Sequence, residues 1–421
     1  MFSGLTQEFF TRISSDSFLE EITIWHGYLF NSSTKLLPMP EEAPVTQIVF
    51  PFMRCIYPIF DSKYSYFWGY WMKATYKKYT LNFKVPSGTS RGILKEKETW
   101  LLILQDSDKY GIGECGLLKG LSIDDVPGYE QRLLWVCDNI HLGKEELLQN
   151  LVAYPSIQFG LEQAFLSLKS KNPFELFPSE FTQKESPIPI NGLIWMGDET
   201  FMLSQLEQKL KDGFQCIKMK IGAIDFKQEL AILTSIRNNF SADEIELRVD
   251  ANGAFSPNEA LEKLKRLSEY ELHSIEQPIK PKQWESMAEL CQNTPVPIAL
   301  DEELIGIFSV TDKQSLLQTV RPQYIILKPS LVGGFVGSGE WIKLAEQHNM
   351  GWWVTSALES NIGLNAIAQW TYTLQNNRPQ GLGTGSLYTN NFDSPLEVSD
   401  GKLYYRAGKN WESDLIKKIC I

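Results

Sequence analysis

The chain has no Cys-x-x-Cys pair: Cys55, Cys115, Cys137, Cys216, Cys291 and Cys420 are dispersed. Neither a zinc site nor a disulfide framework is indicated, and the six are read as reduced thiols. Histidine is scarce, and His26, His141, His273 and His348 have no metal-ligand partner at i+4. Core or surface positions are expected for them, His348 near the end of an expected helix where a cation suits the dipole. No Gly-x-Ser-x-Gly elbow occurs, so a serine hydrolase has little support. No basic patch stands out and the formal charge is -11, which argues against nucleic-acid and anionic-membrane partners. A membrane span needs about 18 nearly uncharged apolar residues, and the aromatic stretch from Phe50 to Trp71 is interrupted by Arg54, Asp61 and Lys63. The start Met1-Phe-Ser-Gly lacks the basic region and apolar core of a secretory signal, so a cytoplasmic location is expected. Asn31-Ser-Ser and Asn239-Phe-Ser then match the glycosylation pattern by chance.

What is present is a 421-residue chain, 43% hydrophobic and 22% charged, which is ordinary for a globular protein of more than one domain. Residues 1–71 fit neither strand alternation nor helix periodicity. They read as an atypical N-terminal extension, or as translated upstream sequence with the natural start at Met72. From there Tyr79-Thr-Leu-Asn-Phe-Lys-Val85 alternates as a strand, Pro86 to Gly92 reads as a loop, and Thr99 to Leu104 as a second strand. Helical spacing follows in Glu130–Ile140 and in Ile157–Leu168, where Phe159, Leu161, Ala164, Phe165 and Leu168 are expected to share a buried face. Residues 72–186 thus form an α+β domain. After Pro187, short apolar runs alternate with amphipathic stretches (Phe201–Lys211, Pro257–Ser268, Gly339–His348), the pattern of βα units around a parallel sheet, over residues 187–385. In the tail, Asp400-Gly401 suits a tight hairpin turn.

Five polar residues recur along the second half, each at the tail of an apolar run: Lys220, Asp250, Glu276, Asp301 and Lys328. An eight-unit α/β barrel of ~250 residues spends roughly 31 residues per unit and keeps its chemistry at the carboxyl ends of its strands. Five successive strands would therefore point these side chains into one mouth. Three carboxylates there repel unless a cation sits between them, and an all-oxygen donor set suits Mg²⁺. In Lys218-Met-Lys220 both lysines face one way, and a neighbouring ammonium together with a cation would lower a lysine pKa enough for it to act as a base. Singly, a Lys-x-Lys is an exposed edge and a strand-end acid is a helix cap; together on successive strands they are not.

The set Lys218-Met-Lys220, Asp250-Ala-Asn252-Gly, Glu276-Gln-Pro, Asp301-Glu and Lys328-Pro resembles the enolase superfamily, in its muconate-lactonizing branch. Within that branch, Gly88-Thr-Ser-Arg-Gly, Gly113-Glu-Cys-Gly, Ile190-Asn-Gly-Leu-Ile-Trp-Met-Gly and Thr355-Ser-Ala-Leu-Glu-Ser-Asn-Ile-Gly are similar to the o-succinylbenzoate synthase family. The resemblance runs from about Met72 to the C-terminus. It implies an α/β fold, a modified (β/α)₇β TIM-type barrel with an α+β capping domain to which residues 386–421 return. It further implies Asp250, Glu276 and Asp301 as ligands of Mg²⁺, with Mn²⁺ as a substitute, and Lys220 as the base. Lys218 would assist electrostatically and Lys328 would lie across the substrate plane. Arg91, Asn252, Ser356 and Ser360 would contact a small carboxylate substrate. The implied reaction is dehydration of 2-succinyl-6-hydroxy-2,4-cyclohexadiene-1-carboxylate through an enediolate, a lyase step of menaquinone biosynthesis. Racemisation of N-acylamino acids or epimerisation of dipeptides is the alternative, although Ser356-Ala-Leu-Glu-Ser360 lacks the Asp-x-Asp usual in dipeptide epimerases. A non-catalytic binding barrel is the remaining alternative. No oligomeric state is implied.

Two glycine motifs are discounted. Gly111-Ile-Gly-Glu-Cys-Gly116 matches a dinucleotide-binding pattern but leads into a loop, so a tight strand connection is expected instead. Gly381-Leu-Gly-Thr-Gly385 is read as the end of a barrel strand rather than an anion site.

Overall fold

The computed structural model describes residues 72–89, 92–195 and 197–420; the expectations for residues 1–71 and for Arg91 lie outside the described residues. Strands β1 (Lys73–Thr89), β2 (Gly92–Asp106) and β3 (Lys109–Cys115) form an antiparallel meander. Of the loop expected over Pro86–Gly92, residues 86–89 and Gly92 are strand. After a register shift between Asn82 and Ser87, β1 and β2 stay paired as far as Thr89 and Gly92. Pro86 falls within the shift, on the strand at the sheet edge, where its missing N–H leaves no ladder bond unmade.

Three helices follow: α1 (Tyr129–Asp138), α2 (Gly143–Asn150) and α3 (Pro155–Lys169). The five apolar residues of α3 do not share one face. Leu161, Ala164, Phe165 and Leu168 pack in the core under the meander. Phe159 belongs to the barrel core, its ring 5.4 Å from that of Phe335, so α3 is sandwiched between the two. Strand β3 lies directly on α3: a Cβ on Gly113 would fall 1.9 Å from the Gly160 carbonyl oxygen, and one on Gly111 would fall 2.2 Å from that of Ala164. Close backbone approach accounts for glycine in this motif.

A short helix α4 (Glu180–Gln183) and strand β4 (Ile188–Pro189) lead into the barrel. Its strands are β5 (Gly192–Ile194), β6 (Cys216–Lys220), β7 (Glu246–Asp250), β8 (Ser274–Glu276), β9 (Ile298–Leu300), β10 (Tyr324–Leu327) and β11 (Gly351–Val354), parallel neighbours in chain order. After each strand comes a helix: α5 (Glu199–Lys211), α6 (Phe226–Asn239), α7 (Pro257–Ser268), α8 (Trp284–Asn293), α9 (Val310–Val320), α10 (Gly334–Gln347) and α11 (Asn361–Thr373). Gln380 and Gly381 supply the eighth strand position, bridging to Ile190 on one side and Thr355 on the other. The Asn191 N–H donates to Gln380 O at 2.9 Å, and the Gly381 N–H donates to Val354 O at 2.8 Å. The fold is thus the expected (β/α)₇β barrel.

Helix α7 has the expected bounds, closed by a Ser256–Glu259 capping box. Helix α10 begins five residues before the expected Gly339, because Glu162 of α3 accepts hydrogen bonds from the Phe335 and Val336 N–H groups and satisfies its first turn. The tail forms the expected hairpin, β12 (Leu396–Ser399) and β13 (Lys402–Tyr405), around Asp400 and Gly401, both at positive φ. It pairs with β4, whereas helix α12 (Leu415–Cys420) packs Leu415, Ile416 and Ile419 against Leu101, Ile103 and Ile112 of the meander. Among the described residues no helix is long and apolar enough to cross a membrane.

Inside the barrel the period-two alternation stacks polar side chains in layers. Near the floor, buried Arg248 lies 4.3 Å from the Trp353 ring centroid, donates to Glu246 at 2.7 Å and donates to Pro379 O at 2.9 Å. Two residues beyond Arg248 on β7 lies Asp250, in register with Lys220 of β6.

Candidate active site

Parallel pairing in register sets Lys220 beside Asp250 and Asp250 beside Glu276. The Lys218 ammonium lies 3.0 Å from Asp250 Oδ2 and 2.6 Å from Glu276 Oε2. Lys220 shares the same Asp250 oxygen at 2.9 Å and donates to Asn252 Oδ1 at 2.6 Å. Lys328 pairs with Asp301. Asp250, Glu276 and Asp301 are each buried to within 2% of full exclusion, so all five strand-end residues meet in one desolvated cluster, with Lys218 among them.

Burial opposes charge on Lys218, yet the carboxylates of Asp250 and Glu276 hold its ammonium well above the usual range. Lys328 is raised in the same way, against burial, by Asp301 and Glu276. For these two lysines the neighbouring acids outweigh the neighbouring ammonium groups. Asp250 is held far below the ordinary carboxylate range: burial works against its charge, and Lys218 and Lys220 overcome that. Glu276 is pushed up to about 8 by burial and then by the Asp250 charge. Asp301 is raised, first by burial.

The donor set fits a hard divalent cation. It is made of carboxylate oxygens alone, and Glu276 Oε1 is buried without a hydrogen-bond partner. Among the described residues no three acidic, histidine or cysteine side chains are gathered as a finished metal cage. Asp250, Glu276 and Asp301 each turn one oxygen to a lysine.

A cavity of about 280 Å³ opens over the cluster, lined by Lys218, Lys220, Asp250, Asn252, Lys328 and Ser356 and roofed by apolar Leu94 and Leu118 of the meander domain. Asn252, at φ 45°, is fixed by donating to Glu302 at 2.9 Å. Ser356 lies 2.7 Å, hydroxyl to hydroxyl, from Thr384. Ser360 is not at the cavity: it is fully buried and its hydroxyl donates to Glu114. The substrate contact expected for it is corrected to a cap of α11, where it accepts from the Ile362 N–H at 3.2 Å.

Sequence reasoning missed Glu114 and Glu359. Glu114, on β3, accepts from the N–H groups of Ser360 and Gly363, each at 2.9 Å, and so ties the capping sheet to α11. Glu359 accepts from the Ser330 hydroxyl at 2.5 Å and from the Ala357 N–H at 2.6 Å, joining the turn after Lys328 to the cavity wall. Their signal was an acid flanked by small or apolar residues, in Gly113-Glu-Cys and Leu358-Glu-Ser.

The fold is that of an enolase-superfamily enzyme, and the enolase C-terminal domain-like family matches residues 202–409. The chain belongs, more narrowly, to the o-succinylbenzoate synthase family. It is 47% identical over 363 residues to the o-succinylbenzoate synthase of Desulfotalea psychrophila, covering 79% of this chain and 98% of that protein. The crystal structure of MenC from Desulfotalea psychrophila superposes with a TM-score of 0.71 at 44% identity, over 79% of this chain and 99% of that one. The D-Ala-D/L-Ala epimerase of Cytophaga hutchinsonii is 26% identical over 79% of this chain and 90% of its own length, a weaker likeness.

Proposed function

We propose that this chain is a lyase that dehydrates 2-succinyl-6-hydroxy-2,4-cyclohexadiene-1-carboxylate to o-succinylbenzoate, with Mg²⁺, in menaquinone biosynthesis. The observation that carries this reading is the clustering of Lys220, Lys328 and three carboxylates under one cavity, in a chain 47% identical to an o-succinylbenzoate synthase.

Lys220, as the free amine, takes the proton from the ring carbon that bears the carboxylate. Asp250 and Asn252, at 2.9 and 2.6 Å, fix its nitrogen so that the proton is met in one geometry. The same lysine, now an ammonium, returns the proton to the hydroxyl leaving the neighbouring carbon, which departs as water while the ring becomes aromatic. A Mg²⁺ ion held by Asp250, Glu276 and Asp301 would bind the substrate carboxylate and take up the negative charge that develops there. Lys218 balances the charge of Asp250 and Glu276, and Lys328 stabilises the planar ring by its own charge. Leu94 and Leu118 exclude water from above. A cytoplasmic site of action belongs to the same reading, and Cys115, Cys216 and Cys291 are buried free thiols, as a reducing compartment would keep them.

Proton NMR of purified protein with this substrate tests the proposal. Aromatic product should appear with Mg²⁺ and not with excess chelator; its absence in both would defeat the reading.

A further inference from the structure

Under the dehydration reading, on which this inference rests, the substrate carries a second carboxylate at the end of its succinyl arm. A carboxylate drawn out of water needs a cation or several donors in return. Three lysines of the cavity, Lys218, Lys220 and Lys328, are already paired with acids. Lys209 lines the same cavity and has no ion pair among the described residues; its ammonium lies 5.0 Å from the Phe214 ring centroid.

The barrel seam is what admits Lys209. A Cβ on Gly192 would fall 3.1 Å from Lys209 Cδ, so the lysine stem lies flat against β5. On the other side of the seam, β5 faces the Gly381–Gly385 segment, where the parallel bridge stops at Ile190 and Gln380. The catalytic cavity and an outer groove of about 510 Å³ share Lys209, Phe214, Gly383 and Ser386 in their walls. Lys209 therefore stands in the opening between the two.

The simpler account is that Lys209, in the last turn of α5, complements the helix dipole. That explains a cation at the helix end, but not one that lines the catalytic cavity with no ion pair among the described residues. Burial draws its ammonium down, opposed by Asp212, and an arriving carboxylate would relieve that cost. Lys119 also lines the cavity but is exposed, where water competes for any anion.

We propose that Lys209 determines specificity for a dicarboxylate substrate, receiving the remote carboxylate at the seam between β5 and Gly381–Gly385. The test is calorimetric binding, to the full chain with Mg²⁺, of o-succinylbenzoate and of its methyl ester at the succinyl carboxylate. The wild-type protein should prefer the diacid by about tenfold, the scale of one charge-assisted hydrogen bond. Lys209→Met should abolish that preference, Lys209→Arg should keep most of it, and Lys119→Ala should leave it in place. In turnover, Lys209→Met should raise KM more than it lowers kcat.

No preference in the wild type, a preference surviving in Lys209→Met, equal weakening of both ligands, or a preference lost in Lys119→Ala or Arg91→Ala but kept in Lys209→Met would each overturn the assignment. A wild-type protein that shows the Lys209-dependent preference without turning over the diene would sink the dehydration reading and leave the subsite standing.

Discussion

Lys218 on β6 and Glu276 on β8 meet at 2.6 Å, ammonium to carboxylate, although β7 lies between their strands. The contact crosses the inner surface of the barrel, with Asp250 of β7 joined to Lys218 at 3.0 Å. Lys218 thus neutralises two buried acids and competes with any cation for them. Lys218→Met should destabilise the metal-free protein by about 3 kcal/mol, the scale for breaking a buried ion pair. Added Mg²⁺ should stabilise the variant more than the wild type. Thermal melts with and without Mg²⁺ check both parts, and an equal Mg²⁺ response in the two proteins would contradict the competition.

Asp250→Asn should lose Mg²⁺ affinity and turnover together, because the amide keeps the shape of the carboxylate but not its charge. Titration calorimetry with Mg²⁺, beside rates at limiting metal, tests this. Unaltered activity at limiting Mg²⁺ would remove Asp250 from the ligand set.

His273 gives stability a defined acid limb. Burial lowers its imidazole to about 4, with the pull of Glu246 outweighed by burial together with Arg248 and Arg378. Its folded pKa lies below the unfolded value of about 6.5, so the unfolded chain binds the proton first as pH falls. The stability His273 contributes is complete above about 6.5 and is lost as pH falls towards 4. His273→Gln should flatten the fall in Tm across that window, and a parallel fall in both proteins would contradict the assignment.

Gly116 tests how closely cap and barrel are fitted. A Cβ there would lie 2.9 Å from Glu359 Cγ and 3.2 Å from Ser330 Cβ, both buried. Gly116→Ala should cost about 1–3 kcal/mol, as overpacking does. It should also lower turnover, since Glu359 holds the Ala357 N–H of the cavity wall at 2.6 Å. Denaturant melts and rates on the same preparation measure the two effects; a variant with unchanged stability and rate would show that this contact is not tight.

A chain beginning at Met72 should fold and keep its turnover, because β1 starts at Lys73 and the strand-end set lies wholly beyond it. Circular dichroism and rates of the shortened chain decide this, and an unfolded or inactive product would make residues 1–71 part of the working enzyme.

Lys220, Asp250, Glu276, Asp301 and Lys328 were legible in the sequence because barrel geometry repeats: strand ends that face one mouth place a polar residue after an apolar run once per unit. Long-range partners were less legible. Ser360 lies in a motif that resembles a substrate loop, yet its hydroxyl is taken by Glu114, 246 residues away. The start of α10 was misplaced because its cap, Glu162, comes from another domain, 173 residues earlier in the chain. Pro86 and Gly88 look like loop residues, but an edge strand with a register shift tolerates both. Local pattern reports which way a side chain faces; it does not report which distant group will meet it.

The most direct measurement is the rate of o-succinylbenzoate formation from freshly generated 2-succinyl-6-hydroxy-2,4-cyclohexadiene-1-carboxylate, by wild type and Lys220→Ala, each with Mg²⁺ and with chelator. Metal-dependent turnover by the wild type, lowered at least about 10²-fold in Lys220→Ala as loss of a general acid–base requires, is the predicted result. Equal rates in the two proteins, or a wild-type rate indifferent to chelator, would contradict the assignment of base and metal.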